Sequence, residues 1–106
     1  MPQPNKLTSA IGFAMKAGKL VSGDFSVEKL ARSGKAHLLL LDETASDNTK
    51  EKYRALSVSK NVELIEICEL GSWIGKPGRM VAAVTDSNFT TMIKRANAEA
   101  KSAAGE

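Results

Sequence analysis

Four consecutive leucines, Leu38 to Leu41, constrain this chain more than any other feature. The segment His37 to Leu41 is apolar without alternation and too short for a buried helix, so it reads as a central strand covered on both faces. Such a strand requires helices on either side of its sheet. The flanking sequence supplies them. Leu7, Ala10, Ile11, Ala14 and Met15 recur at three and four residues, the stripe of an amphipathic helix that starts near Lys6 and stops at Gly18. Leu20-Val21 is a short strand, and Gly23 to Ser33 forms a second helix striped by Val27, Leu30 and Ala31 and ended by Gly34. Ser46 caps a third helix running to about Ser59 and packed through Tyr53, Ala55 and Leu56. Val62 to Ile67 alternates, the pattern of a less buried strand. A short helix over Leu70 to Ile74 leads through the turn Gly75-Lys76-Pro77-Gly78 into a last strand, Met80 to Val84. Asp86 or Ser87 then caps a final helix striped by Phe89, Met92, Ile93 and Ala96, which frays beyond Ala98. The alternation gives an α/β fold, a three-layer α/β/α sandwich, in one domain over residues 1–106 with an ordered core of about residues 5–98.

Several function classes fall away on chemistry. The longest aliphatic run is far below the roughly 20 residues of a membrane-spanning helix, so no membrane partner is expected. The start, Met-Pro-Gln-Pro-Asn-Lys, lacks the charged-then-apolar order of a secretory leader, which leaves a cytoplasmic protein. The chain has one cysteine, Cys68, and one histidine, His37. These provide neither an internal disulfide nor a structural zinc site, so no metal or cofactor is expected. Gly71 to Lys76 is one residue short of a phosphate-binding loop and is followed by Pro77 where a magnesium-holding Ser or Thr is needed. His37 reads as a hydrogen-bonded structural residue at the entry of a buried strand, and Cys68 as a small core residue. No residue is assigned a catalytic role. A small hydrolase using His37 is the least favoured reading.

Charge points to a partner instead. The net charge is +3, with an isoelectric point near 9.1. Residues 1–35 carry six cations against two carboxylates, residues 36–70 four against seven, and the last third five against three. If the outer thirds meet, their cations form one basic face suited to an anionic polymer. The second helix sharpens this. At 100° per residue, Phe25, Lys29 and Arg32 share the face opposite the apolar stripe. An aromatic beside two cations, close to the free amides of a helix start, offers RNA a stacking surface and phosphate contacts. In the turn Gly75-Lys76-Pro77-Gly78-Arg79, glycines allow close backbone approach and the cations can meet phosphates.

These residues also carry a resemblance. Gly23 followed by Lys29, then Gly34-Lys35-Ala36, an aliphatic strand ending in an acidic residue, Leu70-Gly71, Gly75 and a small-residue strand resemble the L7Ae/L30e ribosomal protein superfamily. The start Ile11 to Leu20, Ile-Gly-Phe-Ala-Met-Lys-Ala-Gly-Lys-Leu, is similar to that of its short bacterial, YlxQ-type branch. The likeness spans roughly residues 6–96. It implies a mixed four-stranded sheet within the sandwich and binding of kink-turn RNA. The family's glycine before the second helix matches Gly23, and its phosphate-contacting lysine matches Lys29. Where the family places Asn-Glu or Lys-Gln against G·A base edges, this chain has Phe25 and Ser26. Phenylalanine cannot hydrogen-bond a base edge but can stack on an extruded base.

The expectation is therefore a non-catalytic, monomeric, translation-associated protein whose partner is a structured RNA of kink-turn or ribosomal type. Its contacts would come from Gly23, Asp24, Phe25, Ser26, Lys29 and Arg32 on the second helix and from Lys76, Pro77, Gly78 and Arg79 in the loop. The alternative is a protein-interaction module on the same fold, anchored by an exposed aromatic.

Overall fold

The computed structural model describes residues 5–104. Its elements run α1 (Lys6–Lys16), β1 (Leu20–Ser22), α2 (Asp24–Arg32), β2 (Leu38–Asp42), α3 (Asp47–Lys60), β3 (Leu64–Ile67), α4 (Leu70–Trp73), β4 (Val81–Val84) and α5 (Ser87–Ala104). The strands form one mixed sheet in the order β1-β4-β2-β3. β4 pairs antiparallel with both β1 and β2, while β2 pairs parallel with β3 across the α3 crossover.

The leucine run explains the layers. Alternate side chains of a strand point to opposite faces. Leu38 and Leu40, with Ala82, Val84, Ile65 and Ile67, meet Ile11, Ala14, Leu70 and Ile93 from α1, α4 and α5. Leu39 and Leu41, with Val81 and Ala83, meet Val27, Ala31, Tyr53 and Leu56 from α2 and α3. All five residues of β2 are buried, as a strand covered on both faces demands. The three-layer sandwich with a mixed four-stranded sheet is therefore the observed fold.

Some local expectations give way. His37 lies just ahead of β2 and is exposed, with its backbone N–H bonded to the Val84 carbonyl at 2.8 Å. Cys68 is exposed as well, since it follows Ile67 and falls on the outward side of β3. The Glu43 carboxylate and partial desolvation push its thiol above the ordinary value, opposite to an activated nucleophile. Ala55 is exposed, because two residues beyond Tyr53 is a 200° turn of the helix away from the core. Met92 is nearly half exposed, leaving Ile93 and Ala96, with the partly buried Phe89, to seal α5. The final helix continues past Ala98 to Ala104.

The buried carboxylate of Asp42, at the end of β2, links the sheet to the later loops. It accepts from the Thr44 N–H at 2.8 Å, the Thr44 hydroxyl at 2.6 Å and the Leu70 N–H at 2.8 Å. A buried charge is tolerated when its oxygens are answered this fully. The third bond fixes the start of α4, against which the loop before β4 folds.

Candidate nucleic-acid interface

Two segments more than fifty residues apart in sequence meet at one end of the sheet. The β1–β4 register places Ser22 opposite Ala82, so the chain leaving β1 for α2 runs beside the chain entering β4. The Gly23 N–H continues this ladder, donating to the Val81 carbonyl at 3.1 Å. Ahead of β4, the Arg79 N–H donates to the Lys76 carbonyl at 3.2 Å, closing a four-residue turn. Pro77 and Gly78 occupy its central positions and Gly78 has φ 88°, the arrangement of a type II turn. The turn is pressed onto α4, where a Cβ on Gly71 would stand 2.8 Å from the Lys76 carbonyl oxygen.

From this turn the Arg79 side chain crosses to the start of α2. Its Nη1 donates to the Ser22 carbonyl at 3.2 Å. Gly23 leaves the path open in two ways. It holds φ 103°, which side-chain-bearing residues rarely adopt, and a Cβ there would lie 2.1 Å from Arg79 Nη1. As the N-cap of α2 it also brings no side chain to the free amides of the first turn. A recess of about 270 Å³ lies here, lined by Gly23, Asp24, Thr49, Gly78 and Arg79. A second, of about 220 Å³, lies on the other side of the loop, between Asp42, Gly71, Pro77 and Arg79.

Gly23, Asp24, Gly78 and Arg79 are thus brought together, with Phe25, Ser26, Lys76 and Pro77 exposed around them. Phe25 is 82% exposed and is not folded under its own chain. Lys29 stands a little over one turn further along α2, exposed, with no ion-pair partner among the described residues, as is true of Lys76 and Arg79. Arg32 is placed differently. It lies in the last turn of α2, roughly 12 Å along the axis from Asp24, and pairs with Glu28 at 2.8 Å.

The charge pattern omits two residues that organise the site. Lys52, on α3, meets the Asp24 carboxylate at 3.0 Å and the Glu28 carboxylate at 2.6 Å. Tyr53, expected only as packing, donates its hydroxyl to the Asp24 carbonyl at 2.9 Å and also approaches the Asp24 carboxylate. The Tyr53 hydroxyl, then the Lys52 ammonium, hold the Asp24 carboxyl below the usual range. Burial and the neighbouring carboxylate push the Tyr53 phenol up, so it stays a protonated donor.

A concavity of about 520 Å³ lies between α1 and α5 in the opposite helical layer and contains none of these residues. Among the described residues no three His, Cys, Asp or Glu side chains gather to hold a metal ion, and no helix is long and apolar enough to cross a membrane.

An α/β/α sandwich with this sheet order, and a basic loop laid against the start of its second helix, defines a class. The chain belongs to the Ribosomal protein L7Ae/L30e/S12e/Gadd45 family, which matches residues 5–93. Within it, the chain is similar to the RNA-binding protein YlxQ of Enterococcus faecium, 36% identical over 92 residues covering 84% of this chain and 88% of that one. It is likewise similar to the RNA-binding protein YlxQ of Bacillus subtilis (strain 168), 38% identical over 86 residues, with 78% and 86% covered. Among solved structures, a protein of unknown function from Bacillus halodurans C superposes with a TM-score of 0.78 at 28% identity, covering 86% of this chain and 99% of that one. A Giardia lamblia 15.5kD RNA binding protein shares the fold with a TM-score of 0.69 at 17% identity, over 92% and 94% of the two chains.

Proposed function

We propose that this chain is a non-catalytic RNA-binding protein that holds a folded RNA between the start of α2 and the Lys76–Arg79 loop. The observation that carries the reading is the Arg79 guanidinium lying across Gly23, which joins a cationic turn to a helix start with free amides. The names of the two YlxQ relatives support it. Lys29, Lys76 and Arg79 meet phosphates, and Phe25 stacks on an unpaired base. Arg32 is an outlying contact, because a phosphate must compete with Glu28 for it. The RNA is of kink-turn or ribosomal type, bound in the cytoplasm in association with translation, by one copy of the chain. Phe25 and Ser26 replace base-edge hydrogen bonding with stacking, which favours bent RNAs that extrude a base over the standard kink-turn.

Salt titrations separate these roles. Lys29→Ala is expected to weaken binding to every RNA tested and to flatten the plot of log affinity against log salt by about one unit. Phe25→Ala is expected to lose roughly 1–3 kcal/mol with the slope unchanged. Equal slopes for wild type and Lys29→Ala would remove the lysine from the interface. Weak, unspecific retention of total cellular RNA by the wild type would favour the protein-interaction module instead.

A further inference from the structure

Two carboxylates, Asp24 and Glu28, stand on the helix that is to receive a polyanion. Asp24 and Glu28 are four residues apart on α2, so they face the same way and repel each other. Asp24 is the first residue of the helix, beside the amides that would meet a phosphate. Left unpaired, these two charges would offset two of the three cations Lys29, Lys76 and Arg79. Lys52 prevents this by reaching both carboxylates from α3, its ammonium having three donors to divide between them. Arg32 holds the other side of Glu28, and the buried Tyr53 fixes Asp24 through its backbone carbonyl as well as its carboxylate. These contacts tie the open end of α2 to α3. They also occupy Lys52, which is only about one-third exposed.

We infer that Lys52, with Tyr53, is a positioning residue for the RNA site: it turns Asp24 and Glu28 toward α3 and, together with Arg32, balances their charge, leaving the amides of α2 and the loop cations as the charges a phosphate meets. This deepens the RNA-binding reading and rests on it. Lys52 acts through the two carboxylates and does not itself contact phosphate, which makes the inference separable from a simple basic contact.

The test is a mutant cycle read by fluorescence anisotropy at low salt on a labelled hairpin RNA with a bulge that bends it and extrudes an unpaired base, with circular dichroism melts to confirm folding. Lys52→Met is expected to weaken binding about fivefold, because Asp24 and Glu28, no longer held toward α3, are free to face the phosphates within a Debye length. Introduced into the Asp24→Asn/Glu28→Gln background, Lys52→Met is expected to cause no further loss relative to that background. Lys52→Arg, which can still bridge both carboxylates, is expected to bind within about twofold of wild type. The same loss in both backgrounds would overturn the inference and make Lys52 a direct phosphate contact. Full binding by Lys52→Met would overturn it too. A wild-type chain that fails to bind RNA in a salt-dependent way would remove the underlying reading, whereas wild-type binding with either adverse outcome removes this inference alone.

Discussion

The starts of α2 and α3 lie in the same helical layer and are built in opposite ways. At α3 the sequence closes its own helix: the Ser46 hydroxyl accepts from the Thr49 N–H at 3.2 Å. Asn5 does the same for α1 within a capping box, and Asp86 for α5. At α2 the residue in that place is Gly23, and no side-chain cap is made. The unclosed start is held from outside, by the Gly23–Val81 ladder bond, by Tyr53 and by Lys52. A helix start that leaves its amides free while its backbone is fixed by neighbours is rigid without being self-satisfied. That is the condition under which an anion can be received without the site first coming apart.

The largest break of this contrast comes from Gly23→Ala. It forces a side chain into φ 103° and displaces the Arg79 guanidinium, so denaturant melts should show a loss of roughly 1–3 kcal/mol together with weakened RNA binding. An unchanged midpoint would mean the backbone relaxes freely there and the start of α2 is not held. Ser46→Ala is the smaller, opposite case. It should cost about 1 kcal/mol of stability and leave RNA affinity and salt slope as they were. A loss of binding in that variant would make the two helix starts one site. The smallest effect sharpens the link between them. Because the Tyr53 hydroxyl and Lys52 lower the Asp24 pKa on folding, their contribution is complete above the unfolded aspartate value and fades as pH falls through the lower folded one. Melting temperatures of wild type and Tyr53→Phe should therefore differ at neutral pH and draw together below about pH 4.

Much of this architecture could be read from residue order. The leucine run implied a sheet covered on both sides, helical spacing located α1, α2 and α5, and Ser46 marked the start of α3. The faces of single residues were readable too where period was followed strictly: with Ile65 and Ile67 inward and Glu66 outward, Cys68 belongs outside, and the same argument removes Ala55 from the core. Phe25 and Lys29 emerge where helical geometry put them. Arg32 does too, yet its pairing with Glu28 withdraws it from the group it was expected to join. The approach of Arg79 to Gly23 and the bridge from Lys52 to Asp24 and Glu28 depend on strand order and on helices packed side by side. No local pattern encodes either. Lys52 sat within the acidic third of the chain, where charge counting gave no reason to single it out.

The position of β4 has a temporal consequence. It is the last strand along the chain, yet it is inserted between β1 and β2, and the loop ahead of it carries Arg79 to Gly23. During synthesis, β1 has no hydrogen-bonded neighbour in this sheet until β4 has emerged, and Gly23 has no guanidinium laid across it, although α3 already holds Asp24. The surface that would engage a transcript is consequently completed only when the final third of the chain is made, so a nascent or truncated chain lacking that third would present the start of α2 without Lys76 and Arg79.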